Sequence, residues 1–316
     1  MIHPDVDWIT SGLGWLGRAG KWRCGRAGCV EGIAVVSQEI DLSLGRRFAR
    51  VLRWTRSSYV ILGSFVATLF VIGVVWWPLA ERELAYIDWN RPLWGQVDWL
   101  LVFDFAVMSV LIMAGANLKT DLRTVFIGLC GGLVIESWGT QTELWRYYTL
   151  ERPPLWIIPA WPIAALSVDR LARLLRILVD QFALPRRARL FRVLYWVIFT
   201  VFYVALIVFA WPAITQSLTL LAVLLCTLFI LTPTDHAFAV LTFLGGSGLG
   251  YFLELWGTTR LCWTYYTGQT PPLFSVLAHG MASVAFWRAG LLIVQVQARI
   301  RLVLFGASPI ATRHRQ

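Results

Sequence analysis

Charge is scarce in this chain. Only 15% of its 316 residues are charged, against about 25% in an ordinary soluble domain. Hydrophobic residues make up 58%, and the mean hydropathy is +0.64. This balance excludes an ordinary soluble globule and places the chain among membrane proteins. Acidic residues are the scarcer sign, 18 against 28 basic, and the net charge is +10. Nucleic acid is nevertheless not an expected partner, because the basic residues sit in short stretches between apolar runs, as in cytoplasmic membrane loops. Cys24, Cys29, Cys130, Cys226 and Cys262 form no CxxC pair, so neither a disulfide scaffold nor a zinc site is expected. There is no Walker A sequence, no Rossmann fingerprint and no HExxH, so no cofactor and no metal are expected. No apolar core follows the first charges, so the N-terminus does not read as a signal peptide.

What is present is a series of long apolar runs. A bilayer core about 30 Å thick takes about 20 apolar residues as a helix. Eight runs meet or approach that length: 59–80, 96–115, 123–139, 155–175, 191–211, 214–232, 236–256 and 273–296. They are apolar all round rather than alternating, which predicts helices and not barrel strands. The expected fold is all-α, a polytopic membrane protein of eight transmembrane helices. With the N-terminus inside, the cytoplasmic segments hold 22 of the 28 Lys and Arg residues. The external ones hold Arg82, Arg91, Arg146, Arg152 and Arg260. That asymmetry predicts both termini on the cytoplasmic side of an inner membrane. The richest basic block, 170–192, reads as a topology anchor that attracts anionic head groups. Residues 42–56 read as an amphipathic helix on the inner surface, with Arg46, Arg47, Arg50 and Arg53 at helical spacing. Residues 1–40 fit a loosely ordered tail equally well.

The most informative feature is an internal repeat. Residues 136–155 read ESWGTQTELWRYYTLERPPL and residues 254–273 read ELWGTTRLCWTYYTGQTPPL, identical at eleven of twenty positions at an offset of 118. Four runs lie in each half, an even number, so the two halves share one orientation and form parallel four-helix repeats. The expected organisation is an N-terminal segment (1–58), a first repeat (59–178), a basic linker (179–190), a second repeat (191–296) and a basic tail (297–316). Loops 137–154 and 257–272 then lie on the outer side.

Glu136 and Glu254 fall near the outer ends of their helices, where an ionisable group is costly unless it is paired or faces a wet cavity. Two readings fit them: an acid at a functional site, or a carboxylate that accepts hydrogen bonds from its own loop and locks it. Gly139 and Gly257 are expected to end the helices. Trp138, Trp145, Tyr148, Trp256, Trp263 and Tyr266 suit a membrane boundary and are the candidate substrate-binding aromatics. Asp104 and His279 lie at similar or greater depth. His279 stands where the first repeat has Trp161, so the halves differ chemically. It reads either as a packing residue or as a partner of Glu254. Glu136, Glu254, His279 and Asp104 are the candidate catalytic residues. Arg288 reads as a snorkelling or paired residue, and Pro159 and Pro162 as a kink. Gly245, Gly246, Gly248 and Gly250 would allow a close helix approach or a bend.

Glu136-x-x-Gly139-x-x-Thr142, the aromatic loop with Tyr148, Pro153-Pro154-Leu155 and the Ile-Pro-Ala-Trp-Pro stretch (158–162) resemble the carotenoid biosynthesis membrane proteins. That family includes the carotenoid hydratases and is reminiscent of the small lycopene cyclase subunits. In the second half the resemblance covers Glu254, Gly257, Tyr266 and Pro271-Pro272. Arg260 stands in place of the threonine. The resemblance implies hydration or cyclisation of an isoprenoid alkene by a protonated carboxyl group, with facing Trp and Tyr rings stabilising the cation. The expected partners are membrane lipids and an isoprenoid or other hydrophobic substrate. A non-catalytic lipid- or pigment-binding scaffold is the alternative. A transporter is a third reading, weakened by the few charges near mid-membrane.

Overall fold

Backbone N–H and C=O groups in hydrocarbon must be paired within the protein, and helices do this without help from other segments. The computed structural model describes residues 53–181, 187–232 and 235–305. Among them are nine α-helices: α1 (Arg56–Val75), α2 (Trp77–Ala85), α3 (Trp99–Met113), α4 (Leu118–Gln141), α5 (Ala160–Gln181), α6 (Arg187–Ala210), α7 (Ser217–Ile230), α8 (His236–Thr259) and α9 (Leu273–Phe305). Two short strands, β1 (Trp145–Tyr147) and β2 (Trp263–Tyr265), follow α4 and α8. Four helical stretches are long and apolar enough to cross a membrane: α1, Ala188–Ala213, α8 and Leu273–Leu304. Helices α3 and α7 are shorter and apolar. Large apolar side chains on α1 (Val66, Phe70, Val74) and α6 (Val197, Val201, Val204, Val208) are exposed in rows, as a lipid-facing surface requires. The chain divides into two units, Met1–Val51 and Leu52–Gln316. The first lies outside the described residues, and with it most of the amphipathic helix expected at 42–56.

Helix starts are set by local polar residues. Asp98 accepts from the backbone N–H of Leu100 and Leu101 at the head of α3, Asn117 from Lys119 at α4, and Asp235 from Phe238 at α8, each satisfying N–H groups that have no partner within the helix. The prolines of span four delay a helix rather than kink one. Helix α5 starts at Ala160, just after Pro159, and Pro162 falls in its first turn, where the missing N–H costs nothing. The corresponding α9 has no such prolines and starts directly after Pro272. Helix α5 also runs on to Gln181, into the expected linker.

Gly139 and Gly257 do not end their helices. Helices α4 and α8 each run two residues further, and Glu143 (φ 60°) and Leu261 (φ 56°) supply the left-handed turn. The N–H of Leu144 donates to the Gly139 carbonyl and that of Cys262 to the Gly257 carbonyl, both at 2.9 Å. The two strands that follow pair antiparallel with each other, Trp145 opposite Tyr265 and Tyr147 opposite Trp263. A large part of the buried core gathers around this pair and α6 to α9.

Candidate functional site

Strand periodicity selects the side chains that enter the site. Residues two apart share a face, so Trp145 and Tyr147 turn inward while Arg146 and Tyr148 turn out. Trp263 and Tyr265 are likewise buried, and Tyr266 is exposed. The glycines make room for the indoles. A Cβ on Gly139 would lie 1.9 Å from the Trp145 ring, and one on Gly257 2.0 Å from the Trp263 ring.

Each inward pair converges on the glutamate at the end of its own helix. Glu136, 4% exposed, accepts from Trp145 Nε1 at 3.1 Å, Tyr147 Oη at 3.0 Å and Trp161 Nε1 at 3.1 Å. Glu254, 3% exposed, accepts from Trp263 Nε1 at 3.0 Å and Tyr265 Oη at 2.8 Å, and its Oε1 lies 3.0 Å from His279 Nε2. The third partner reaches its carboxylate across a glycine one turn earlier. A Cβ on Gly132 would meet the Trp161 ring at 2.3 Å, and one on Gly250 would meet the His279 Cβ at 2.4 Å. Gly246 and Gly250 thus serve the close α8–α9 approach expected of that glycine run. Gly248 faces open space.

The two carboxylate cages interlock. Trp145 packs against Tyr265 at 5.8 Å between ring centroids and Tyr147 against Trp263 at 5.7 Å. Such tilted aromatic contacts each add about 0.5–1.5 kcal/mol beyond burial. All the donors around Glu136 can point a hydrogen at it, and the two indoles can do nothing else. Both of its oxygens are occupied as acceptors.

The cages border a cavity of about 680 Å³ with almost wholly apolar walls. Its lining includes Asp104, Glu136, Glu254 and His279, together with Trp138, Trp145, Trp256 and Trp263. All four expected catalytic residues and four of the six expected aromatics therefore meet at one cavity. Tyr148 and Tyr266 do not line it. They stand on the outward face of the hairpins, and Tyr266 Oη donates to the Phe209 carbonyl at 2.9 Å. Tyr147, Tyr265 and Trp161 take the places beside the acids. The Trp-x-Tyr spacing carried the signal for the two tyrosines, once the loop is read as a strand. Nothing in the sequence marked Trp161 as a hydrogen-bond donor, although its alignment with His279 pointed to the position.

Asp104 differs from the glutamates. It is 1% exposed, and its Oδ2 has no hydrogen-bond partner. The residue 118 positions on is Ala222, which also lines the cavity. Among the described residues no group of three or more His, Cys, Asp or Glu side chains is placed to hold a metal ion. Cys130 and Cys226 are free thiols. Set against known protein families, curated proteins and solved structures, the chain matches none.

Proposed function

We propose that the protein crosses an inner membrane eight times as two parallel four-helix halves, with both termini cytoplasmic, and acts on a long isoprenoid-type lipid held in its central cavity. The chemistry is proton-initiated hydration or cyclisation of an alkene. The observation that carries this reading is the apolar cavity of about 680 Å³ with Asp104 and the Glu254–His279 pair on its wall. Its size lies within the range of about 300–1,000 Å³ usual for small-molecule sites.

Support for the paired halves comes from element positions. Helices α4 and α8, strands β1 and β2, and the starts of α3 and α7 are all displaced by the same 118 residues. The antiparallel pairing of β1 with β2 brings the two loops together, which favours parallel halves. Support for the orientation is the distribution of Lys and Arg.

Glu136 and Glu254, first expected to be the proton donors, have both oxygens engaged by donors. Asp104 takes that role, because its carboxyl is buried, faces the cavity and has an oxygen without a partner. Its proton adds to one alkene carbon as the π pair forms the new C–H bond, leaving a tertiary cation on the other. The indole faces around the cavity stabilise that cation. Water then adds and releases a proton to His279, and proton return to Asp104 completes the cycle. The net reaction is alkene plus water to tertiary alcohol, with no redox change. Cyclisation follows the same start, with a second double bond attacking the cation.

A second reading, a lipid- or pigment-binding scaffold without chemistry, is favoured by the saturation of each glutamate by its own hairpin. Lipid mass spectrometry on membranes with wild type, the Asp104→Asn variant and no protein separates the two. The enzyme reading expects a new isoprenoid product with wild type alone, while Asp104→Asn still co-purifies with the substrate. Equal product from both proteins would remove the acid role. A co-purifying lipid with no product from either would leave the scaffold, and no hydrophobic molecule on the purified protein would remove both.

A further inference from the structure

Two equivalent helix seams flank the cavity, one where α8 packs on α3 and one where α4 packs on α7. Each is tied at its hairpin end by an indole of the repeated segment. Trp256 Nε1 donates to Asp98 Oδ2 at 3.0 Å across the first, and Trp138 Nε1 to Thr219 Oγ1 at 3.1 Å across the second. One turn further from the hairpins the seams differ. On α8 that position is Phe252, which packs edge to face on Phe103 of α3 with 6.2 Å between ring centroids. On α4 and α7 the corresponding residues, at the same offset of 118, are Val134 and Leu221. Two aliphatic side chains fill less of a seam than two phenyl rings, so the second seam lacks the aromatic cover of the first.

The cavity follows this difference. Leu244, Gly248 and Phe252 form an exposed row on α8, and none of them lines the cavity. Their counterparts on α4 are Phe126, Cys130 and Val134, which all line it and are all exposed as well. Phe126 is 62% exposed and Val134 43%. Spaced four residues apart, they share one face of the helix. Side chains that are cavity wall and outer surface at once mark an opening. Leu69 and Ala160 are also exposed lining residues, but they are single positions on separate helices rather than a row. Counted from the start of α4 at Leu118, the row lies at a rise of about 12 to 24 Å, within a hydrocarbon layer about 30 Å thick. Neither the row nor the α7 residues that line the cavity, such as Leu225 and Phe229, carries a charge.

We propose that the α4–α7 seam is a lateral mouth through which an uncharged isoprenoid-type lipid enters the cavity directly from the hydrocarbon interior of the bilayer. A charged head group would have to pass through hydrocarbon to reach a mouth at this depth, which is costly. An uncharged chain is already dissolved there and exchanges one apolar environment for another. The proposal rests on the isoprenoid-lipid reading of the cavity. It adds the route by which the substrate arrives and the absence of charge on it.

The test places the full-length protein in dioleoylphosphatidylcholine vesicles with a diazirine analogue of geranylgeraniol, photolysed at increasing delays after mixing. Adducts on Asp104 and Met108, buried residues of the lining, report entry into the cavity. Cys130→Trp puts a bulky ring in the mouth. Gly248→Trp puts the same ring at the equivalent position of the closed seam, where a Cβ meets nothing within 4 Å. The first is expected to slow the appearance of the adducts severalfold and the second to leave the wild-type rate. Val134→Phe combined with Leu221→Phe rebuilds the aromatic pair of the closed seam and should slow entry as Cys130→Trp does. Equal rates in both Trp variants would overturn the mouth while leaving the lipid cavity intact. Equally fast labelling by the monophosphate of the same analogue would overturn the uncharged substrate. No adduct on Asp104 or Met108 in wild type at any delay would overturn the lipid reading and the mouth together. Should Cys130→Trp fail to fold, the double variant decides in its place.

Discussion

Trp161 and His279 lie face to face, 5.5 Å between ring centroids and 16° between planes, and each reaches a different buried glutamate. They occupy the same place in the two halves. Their stacking joins the two carboxylate cages into one cluster, while their chemistry separates them. An indole N–H only donates, whereas an imidazole can donate, accept or carry a second proton.

That difference predicts unequal responses to the same substitution. In Glu136→Gln the amide NH2 must face an indole N–H whichever way it is turned, Trp145 on one side or Trp161 on the other. One buried donor is left unsatisfied, at about 1–3 kcal/mol. In Glu254→Gln the carbonyl can keep Trp263, and the NH2 can donate to Tyr265 Oη and to His279 in the tautomer that accepts at Nε2. The thermal midpoint in detergent is expected to fall clearly in Glu136→Gln and little in Glu254→Gln. Equal losses would show that His279 does not adapt.

Glycine substitutions on α8 are expected to diverge over half a turn. Gly248→Ala meets nothing within 4 Å, so it gains helix propensity worth up to about 1 kcal/mol. Gly250→Ala places a methyl 2.4 Å from the His279 Cβ. That contact involves a side chain's root, which moves only with its backbone, so α9 must shift at a cost of about 1–3 kcal/mol. The shift also draws His279 away from Glu254. Unfolding midpoints, with the pH titration of the His279 ring signals as a second measure, would test both effects.

The glutamates and the aromatic hairpins were legible because the sequence states them twice at a constant offset. Their roles were less so. Gly139 and Gly257 looked like helix ends, since a C-terminal glycine usually is one, yet they are there to admit an indole and the turn falls to Glu143 and Leu261. Tyr148 and Tyr266 were favoured over Tyr147 and Tyr265 because the family resemblance falls on them. A three-residue strand has too little length to show alternation, and the pairing that creates it joins segments 118 residues apart.

The tyrosine pairs offer a direct check on strand phase. Tyr147→Phe and Tyr265→Phe each remove a hydroxyl that donates to a buried carboxylate, at 3.0 and 2.8 Å. Hydrogen bonds to charged groups contribute about 1.5–3 kcal/mol, so both variants should unfold earlier. Tyr148→Phe leaves both carboxylate cages untouched and should cost less than either of these. Tyr266→Phe loses only the bond to the Phe209 carbonyl, worth about 1 kcal/mol. A larger loss in the 148 and 266 variants than in the 147 and 265 variants would reverse the assignment.

The last prediction exchanges one half's chemistry for the other's. His279→Trp installs in the second half the residue type that already works in the first. The indole can donate to Glu254 as Trp161 does to Glu136, and the adjoining cavity gives the larger ring room to settle. Residual crowding is expected to cost no more than about 1–3 kcal/mol, so the protein should insert and still bind its lipid. What an indole cannot do is take up a proton. If His279 receives the proton released when water adds, turnover should fall by about a hundredfold or more, the scale of a lost general base, with lipid affinity changed little. If His279 only holds Glu254 in place, the indole does the same and turnover should survive. Product formation and lipid binding measured on the same preparation separate a proton acceptor from a structural ligand.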